Sequence, residues 1–267
     1  MLVEKEYFMS VLTNLNCKSA FDIMSLLSIR DYDLLPPIKY IPSDIKNIPT
    51  LRNSRFIQRD AESIVNTSNL IWDKSSDDIN TYAQKCFDYV LNDIKYRLAP
   101  DQSAYGTNYY QGGTCYGKLN LYAAFCRRRG IETRFELIPF RLTQGFEDVF
   151  LFFVPDEFKF LNKLIKIILS MKFPHYFLEI KLDNQWYNAN PIQPAFIYKL
   201  LNLTPPGVDK KRRRNAKIKL KKGYVKPIYT TEINLTFNVF SNWIGRFKIA
   251  DLINGKIGEF EKLSNII

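Results

Sequence analysis

Apolar and polar positions follow a helical period in two parts of the N-terminal half of the chain. Residues 1–30 predict two short helices. A longer apolar stripe predicts a helix that starts at the cluster of residues 75–77 and runs to about Arg97. Between these parts, residues 34–49 contain four prolines, which remove backbone donors and disfavour helix. That stretch is predicted to be a linker or an extended arm lying on the domain.

The second half of the chain alternates apolar and polar residues with the period of a strand. Strands are predicted at residues 131–140, 148–154, 176–182 and 185–191. A lysine-rich amphipathic stretch at 156–172 predicts a packed helix or a lid. Residues 229–240 predict a further strand, and residues 243–267 one or two short helices. The pattern predicts an α+β fold, with helices packed on an antiparallel sheet.

Composition narrows the class of protein. The chain has 267 residues, of which 46% are apolar and 15% aromatic, enough for a large core. Its four cysteines form no CxxC pair, so neither a zinc site nor a disulfide framework is predicted. We find no secretory signal and no apolar run of the ~20 residues that a membrane span requires, and we therefore expect a cytoplasmic protein. No carboxylate-rich calcium loop is present, and no cofactor is predicted.

The positive charge is concentrated in one segment. The formal net charge is +11, but residues 209–226 hold ten Lys or Arg and one Asp, which leaves +2 for the rest of the chain. Such a segment is either a solvated loop or a site for nucleic acid or another anionic surface. The candidate polyanion-binding residues are Lys210, Lys211, Arg212, Arg213, Arg214, Lys217, Lys219, Lys221 and Lys222.

A polar loop delivers one cysteine to the start of a helix. Cys115 follows Gly112, Gly113 and Thr114, and a strongly helical sequence that ends at a glycine comes after it. Thr114 is predicted to cap this helix. A thiolate at a helix N-terminus is favoured by the helix dipole, so the position predicts a lowered pKa for Cys115. A cysteine that only packs in the core remains the alternative.

The only histidine of the chain begins a predicted hairpin. His175 precedes the strand 176–182, and a two-residue turn at 183–184 or 184–185 leads into the next strand. Either turn places His175 and Asn190 on one face, and the first sets Phe177 opposite Asn190 with His175 diagonal to it. Cys115, His175 and Asn190 then supply a nucleophile, a base and a group that orients the base. The alternative is that Asn190 serves only the turn before Pro191.

These two motifs resemble the core of the transglutaminase-like superfamily. The first is a Gly-x-Cys that opens a helix and leads through Arg-Gly-Ile to an Arg, and the second is a histidine-headed strand with a hairpin and a Trp. Residues 79–191 carry the resemblance, at Gly113, Cys115, Arg129, Gly130, Ile131, Arg134, His175, Glu179, Trp186 and position 190. The superfamily usually has Asp where this chain has Asn190, although papain-type proteases use Cys-His-Asn.

The resemblance implies attack of a thiolate on an amide and a thioester intermediate, with no cofactor and a protein or peptide as substrate. The backbone N–H of Cys115 is then the first oxyanion donor, and Gln111 or Tyr110 a second. Trp186 either shields the His–Asn contact or fills the core. The rival hypothesis is a catalytically silent module that binds a polyanion through residues 209–226, as relatives in DNA-damage recognition suggest.

The predicted organisation has three parts. Residues 1–75 form a helical and proline-rich extension, residues 76–205 the transglutaminase-like core, and residues 206–267 a basic segment followed by a strand and helix that complete or cap the domain.

Overall fold

The computed structural model describes residues 32–46, 48–72, 78–140, 173–192, 228–233, 242 and 245–264. Four predictions lie outside these ranges: the helices of residues 1–30, the strand at 148–154, the amphipathic stretch at 156–172 and the basic segment at 209–226. None of the helices in the described ranges is long and apolar enough to span a membrane.

Helices and an antiparallel sheet make up the described fold. The helices are α1 (Glu62–Ile71), α2 (Ile79–Asn92), α3 (Ala104–Tyr109), α4 (Cys115–Arg128) and α5 (Ile249–Ser264). The strands are β1 (Lys95–Tyr96), β2 (Gly112–Gly113), β3 (Thr133–Phe140), β4 (Phe173–Leu182), β5 (Gln185–Asn188) and β6 (Ile228–Thr230). The predicted α+β class is confirmed.

Helix α2 is shorter than its apolar stripe predicts. It begins after Asp78, whose carboxylate accepts the Thr81 N–H at 2.6 Å and so caps the helix. Its buried face includes Tyr82, Phe87 and Val90. The predicted end near Arg97 is wrong, because the chain leaves the helix after Asn92 and forms β1, which pairs in parallel with β2.

The polar loop before Cys115 is more ordered than predicted. The Ser103 hydroxyl accepts the Gly106 N–H at 3.1 Å, and this cap starts the short helix α3. Gly112 and Gly113 then form β2. The prediction of a loop is therefore wrong for these residues, because capping and a parallel pairing with a distant segment give the backbone regular partners.

The four-stranded sheet has the order β5-β4-β3-β6, and all of its pairs are antiparallel. In β4 the buried side chains are Tyr176, Leu178, Ile180 and Leu182, every second residue. They join one hydrophobic core with α4, which contributes Leu119, Leu121, Tyr122 and Phe125. Burial of alternate residues on one face of a sheet against a helix is what the strand period predicts.

The hairpin between β4 and β5 has the first of the two predicted registers. Asp183 and Asn184 form the turn with φ of 48° and 59°, as a two-residue hairpin of right-handed twist requires. Leu182 pairs with Gln185 and Glu179 with Asn188. One step further along, the Ala189 N–H donates to the Leu178 carbonyl at 2.9 Å. The same register, continued, sets position 190 opposite position 177.

The proline-rich stretch is an extended arm on the domain, as predicted. The Ile41 N–H donates to the Asp60 carbonyl at 2.8 Å, and the Glu62 N–H donates to the Lys39 carbonyl at 2.8 Å. These two bonds fix the arm to the residues that lead into α1. The Tyr105 hydroxyl also donates to the Pro36 carbonyl, at 3.1 Å.

Candidate active site

Cys115 is the first residue of α4, with Thr114 in the N-cap position. The predicted cap by Thr114 is wrong, because its hydroxyl donates to Gln102 Oε1 at 3.0 Å instead of accepting from the helix. The Thr114 N–H donates to the same oxygen at 2.7 Å. The buried side chain of Gln102 therefore holds Thr114, the residue before Cys115.

Gln102 is the centre of this arrangement, and the sequence analysis did not identify it. The side chain is fully buried, and its Nε2 donates to the Ala99 carbonyl at 3.0 Å. Its own carbonyl accepts Asn120 Nδ2, from within α4, at 2.9 Å. There is no room for a side chain at position 117, since a Cβ there would lie 2.5 Å from Gln102 Oε1. The glycine allows the helix to approach Gln102 closely.

Tyr96 is a second residue that the sequence analysis missed. The β1–β2 pairing sets Tyr96 beside Gly113, two residues before the nucleophile candidate. The Tyr96 hydroxyl lies close enough to the Cys115 sulfur to lower the pKa of the thiol, and so it favours the thiolate. Burial and the neighbouring thiol raise the pKa of Tyr96 well above its usual value, so the phenol remains a proton donor. Because this pairing is non-local, only the fold brings the two side chains together.

The surroundings of Cys115 raise its pKa, opposite to the predicted lowering. Burial raises the pKa of the thiol to about 11, although the Tyr116 N–H, the Tyr96 hydroxyl and the Cys115 N–H each lower it. The helix start and the tyrosine thus stabilise the thiolate, but loss of solvent has the larger effect. Cys115 is still partly exposed, whereas Cys86 and Cys126 are buried. A base is therefore needed to ionise Cys115 at neutral pH.

The start of β4 lies beside the start of α4. The ring of Tyr116 meets the ring of Tyr176 edge to face, with 6.1 Å between centroids and an angle of 77°. These are the residues directly after Cys115 and His175. His175 is the third residue of β4 and pairs with Ile138 across the sheet. The fold thus brings the backbone segments of the predicted nucleophile and base to the same end of the sheet.

Asn190 is buried at the end of the hairpin, and its amide extends the β4–β5 ladder. Its Oδ1 accepts the Leu178 N–H at 2.6 Å, and its Nδ2 donates to Asn188 Oδ1. The first bond fixes which end of the amide is the oxygen. Asn190 therefore has a structural role in the sheet, at a register position that shares the parity of position 175.

The remaining candidates of the sequence analysis have partners of their own. Gln111 is exposed, its Nε2 donates to the Asn108 carbonyl at 2.5 Å, and its Oε1 accepts the Tyr89 hydroxyl at 3.2 Å. The Tyr110 hydroxyl donates to the carbonyl of Asp33 in the arm at 2.6 Å, and burial raises its pKa to about 12.

Trp186 contacts a cation across the sheet. The Arg134 guanidinium lies 4.1 Å from the centre of its ring and 3.9 Å from that of Tyr229. Arg134 also forms an ion pair with Glu179 at 2.7 Å. This sandwich joins the edge strands β5 and β6 through the central strands, so the described contacts of Trp186 are those of a sheet aromatic.

Replacing Tyr96 with Phe is expected to slow alkylation of Cys115 by about tenfold between pH 7 and 9, because one donor to the thiolate is lost. The rate constant is measured with iodoacetamide and mapped to Cys115 by mass spectrometry. Tyr109→Phe is the control, since Tyr109 is exposed and lies in the same region of the chain. Equal rates for Tyr96→Phe and the wild type would show that the hydroxyl does not act on the sulfur.

Comparison with known proteins gives one family and one structure. No curated protein matches the sequence. A proposed cysteine protease from Cytophaga hutchinsonii aligns with a TM-score of 0.39 and 17% identity, over 57% of this chain and 43% of that one. The present chain thus spans less than half of that structure. The family model matches residues 66–191, the part that contains Cys115, His175 and Asn190, and it identifies this region as similar to the Transglutaminase-like superfamily.

Proposed function

We propose that this protein is a thiol enzyme that cleaves or transfers the acyl group of amide bonds, with Cys115 as nucleophile and His175 as base. The observation that carries the proposal is the position of Cys115, a partly exposed cysteine at the first residue of α4, next to the start of β4, where the rings of Tyr116 and Tyr176 meet with 6.1 Å between centroids. The superfamily match over residues 66–191 supports a thiol enzyme at the level of the family.

The proposed reaction begins with transfer of the Cys115 proton to His175. The sulfur attacks the amide carbon, and the carbonyl oxygen takes up the negative charge. The Cys115 N–H and the Tyr96 hydroxyl, which both lower the pKa of the thiol in the resting protein, are the proposed donors to this oxyanion. The C–N bond then breaks, the amine leaves with the proton from His175, and the acyl group remains on the sulfur as a thioester. Water or a second amine releases it.

Burial of the thiol gives the proposed base a defined task. A pKa of about 11 for Cys115 means that only ~1 in 10⁴ thiols is ionised at pH 7 without a neighbouring cation. An imidazolium next to the sulfur offsets this cost of desolvation, because the two charges attract strongly where water is excluded. In the proposed enzyme, ionisation of Cys115 therefore depends more on His175 than on the helix dipole.

Asn190 is proposed to orient His175, and replacement by Asp provides a test. The carboxylate still accepts the Leu178 N–H, and Asn188 can turn its amide to donate to the second carboxylate oxygen, so the contacts with the sheet are preserved. Its charge should raise the pKa of the imidazole by about one unit. Because His175 is the only histidine in the chain, its pKa is read directly from the imidazole proton resonances in an NMR titration.

The matched control is Asn188→Asp, because Asn188 ends β5 two positions before Asn190 and accepts a hydrogen bond from the Asn190 amide. A rise of the histidine pKa in Asn190→Asp alone supports the proposed contact. An unchanged pKa in Asn190→Asp would leave Asn190 with its role in the sheet and remove it from the catalytic group.

The activity itself is tested with p-nitrophenyl acetate, which acylates an activated thiol whatever its natural substrate. We expect a burst of p-nitrophenolate and an acetyl group mapped to Cys115, with Cys86 and Cys126 as buried internal controls. Cys115→Ala should abolish the burst. Adding hydroxylamine then separates the two fates of the thioester, since faster release as hydroxamate indicates access for an amine. Absence of a Cys115 adduct would contradict the proposal.

The charge of the basic segment favours a second candidate, a silent module that binds a polyanion. Residues 209–226 carry a net charge of +9, a density that suits phosphate backbones. This function predicts salt-dependent binding of single- or double-stranded nucleic acid that survives Cys115→Ala. Replacing Lys210–Arg214 with Gln should then reduce the slope of log K against log salt by about 4.

A further inference from the structure

The C-terminal helix is bonded to the backbone that leads to the candidate site. Asn254, in α5, accepts the Leu98 N–H with its Oδ1 at 2.8 Å and donates its Nδ2 to the Leu98 carbonyl at 3.1 Å. One amide thus satisfies both polar groups of a single residue, as a neighbouring strand would. The two partners are 156 positions apart in the sequence.

Two more residues of the C-terminal region contact the same stretch. Asn242 Oδ1 accepts the Gln102 N–H at 2.7 Å. Gly245 is buried so close to Ala99 that a Cβ would overlap the Ala99 carbonyl oxygen. We call Asn242, Gly245 and Asn254 the C-terminal clamp. Its members contact backbone atoms within residues 98–102, so its effect does not depend on the side chains there.

The two ends of this stretch lead to Cys115 and to Thr114, the residue before it. On one side, Tyr96 pairs with Gly113 and its hydroxyl lies near the Cys115 sulfur, and the Arg97 N–H donates to the Gly113 carbonyl at 3.2 Å. On the other side, Gln102 accepts the Thr114 N–H and is itself held by Asn120 of α4. Residues 98–102 thus connect Tyr96, near the sulfur, with Gln102, which holds Thr114.

We infer that the C-terminal clamp positions the nucleophile, with Asn254 as its main positioning residue. The clamp fixes residues 98–102, these fix Tyr96 and Gln102, and those two side chains set the sulfur and the first turn of α4. The inference concerns the local geometry of Cys115, and it deepens the proposed function, on which its catalytic meaning rests. It assigns to α5 a role in the site that packing alone does not require.

The test uses Asn254→Leu, which keeps the size and removes the amide, and Asn254→Asp, which keeps the acceptor for the Leu98 N–H. Amide hydrogen exchange of the full chain is followed at Leu98 and Thr114 by NMR. In Asn254→Leu we expect about tenfold faster exchange at both amides, and about tenfold slower alkylation of Cys115 by iodoacetamide. Asn254→Asp should lie between Asn254→Leu and the wild type.

Ile257→Val is the matched control, because Ile257 is a buried residue of the same helix and the change removes only one methyl group from the core. Ile257→Val should leave Thr114 exchange and Cys115 alkylation unchanged, even if it lowers the thermal stability as much as Asn254→Leu does. The inference is overturned if Asn254→Leu speeds exchange at Leu98 but leaves Thr114 and Cys115 as in the wild type. Asn254→Asp provides the same decision if Asn254→Leu does not fold.

The outcome is separate from that of the proposed function. Alkylation of Cys115 that is indifferent to His175→Ala would contradict the enzyme, yet exchange at Thr114 would still report whether the clamp acts on the turn. Conversely, Cys115 alkylation could depend on His175 while Thr114 exchange is unchanged in Asn254→Leu. That result would support the enzyme and show that the C-terminal clamp does not position the nucleophile.

Discussion

Replacing His175 with Ala is expected to lower the rate of Cys115 alkylation at pH 7 by at least ~100-fold. In the proposed enzyme, an imidazolium next to the sulfur supports the thiolate at neutral pH. Without it, the thiol is left with the surroundings that raise its pKa to about 11. The rate should then increase with pH up to about 11, because the thiolate is the reacting species.

The measurement is a pH series of iodoacetamide rate constants from pH 5 to 11, mapped to individual cysteines. The wild type should show a neutral plateau that His175→Ala lacks, and the two profiles should converge above pH 11. Imidazole added to the buffer should restore part of the neutral rate in His175→Ala, since it replaces the missing base. Superimposed profiles for the two proteins would exclude a thiolate–imidazole pair.

The hairpin that carries His175 was predictable because its determinants are local. Asp183 and Asn184 both tolerate positive φ, and a two-residue turn leaves few registers for the strands that it joins. The observed pairing of Glu179 with Asn188 follows from that turn. Cys115 at the start of a helix was predictable for the same reason, since glycines and a polar N-cap precede a strongly helical sequence.

The contacts that complete the site were not predictable from local signals. Tyr96 lies near Cys115 because β1 and β2, two strands of two residues each, pair in parallel. Gln102 contacts Thr114 across a segment of the chain that contains helix α3. A tyrosine or a glutamine in a polar sequence gives no local signal of a role in a site. The sign of the Cys115 pKa shift also depends on tertiary packing, because the helix position lowers the pKa while burial, the larger effect, raises it.

Gln102 and Tyr96 change how the site is understood. The sequence predicts a nucleophile, a base and an orienting amide, whereas the fold adds a phenol that lowers the pKa of the thiol and a buried amide that holds the residue before it. A thiol whose pKa is raised to about 11 is unreactive toward most electrophiles at neutral pH. Under the proposed function, reactivity then depends on His175, so His175→Ala distinguishes the enzyme from the catalytically silent module.

Replacing Arg127 with Met is expected to destabilise the protein by about 3 kcal/mol, the largest stability effect of any single change that we predict. Arg127 is fully buried, and its Nη1 donates to the Arg52 carbonyl at 2.9 Å and its Nη2 to the Thr231 carbonyl at 2.6 Å. Its Nε donates to the Thr133 hydroxyl at 2.7 Å. The side chain thus joins the N-terminal segment, β3 and the residue after β6.

Burial lowers the pKa of Arg127 to about 10, so the guanidinium is charged at neutral pH and its desolvation already costs free energy. Met fills a similar volume and removes that cost, but it leaves two carbonyl oxygens without their donor. Arg127→Lys keeps the charge and reaches fewer acceptors, so a loss of about 2 kcal/mol is expected. Arg128→Met is the control, since Arg128 pairs with Asp60 at 2.9 Å and Asp60 keeps Arg59 as a second partner, so a loss of about 1 kcal/mol is expected.

Urea unfolding followed by circular dichroism gives the free energies of unfolding and the slope m for all four proteins. The expected order of stability is wild type, Arg128→Met, Arg127→Lys and Arg127→Met, with equal m values. A stability of Arg127→Met within 1 kcal/mol of the wild type would mean that removing the buried charge compensates for the two orphaned carbonyls. The predicted order requires that the guanidinium stabilises the protein as a donor shared by three segments of the chain. Met donates to none of these segments, and Lys reaches only some of them.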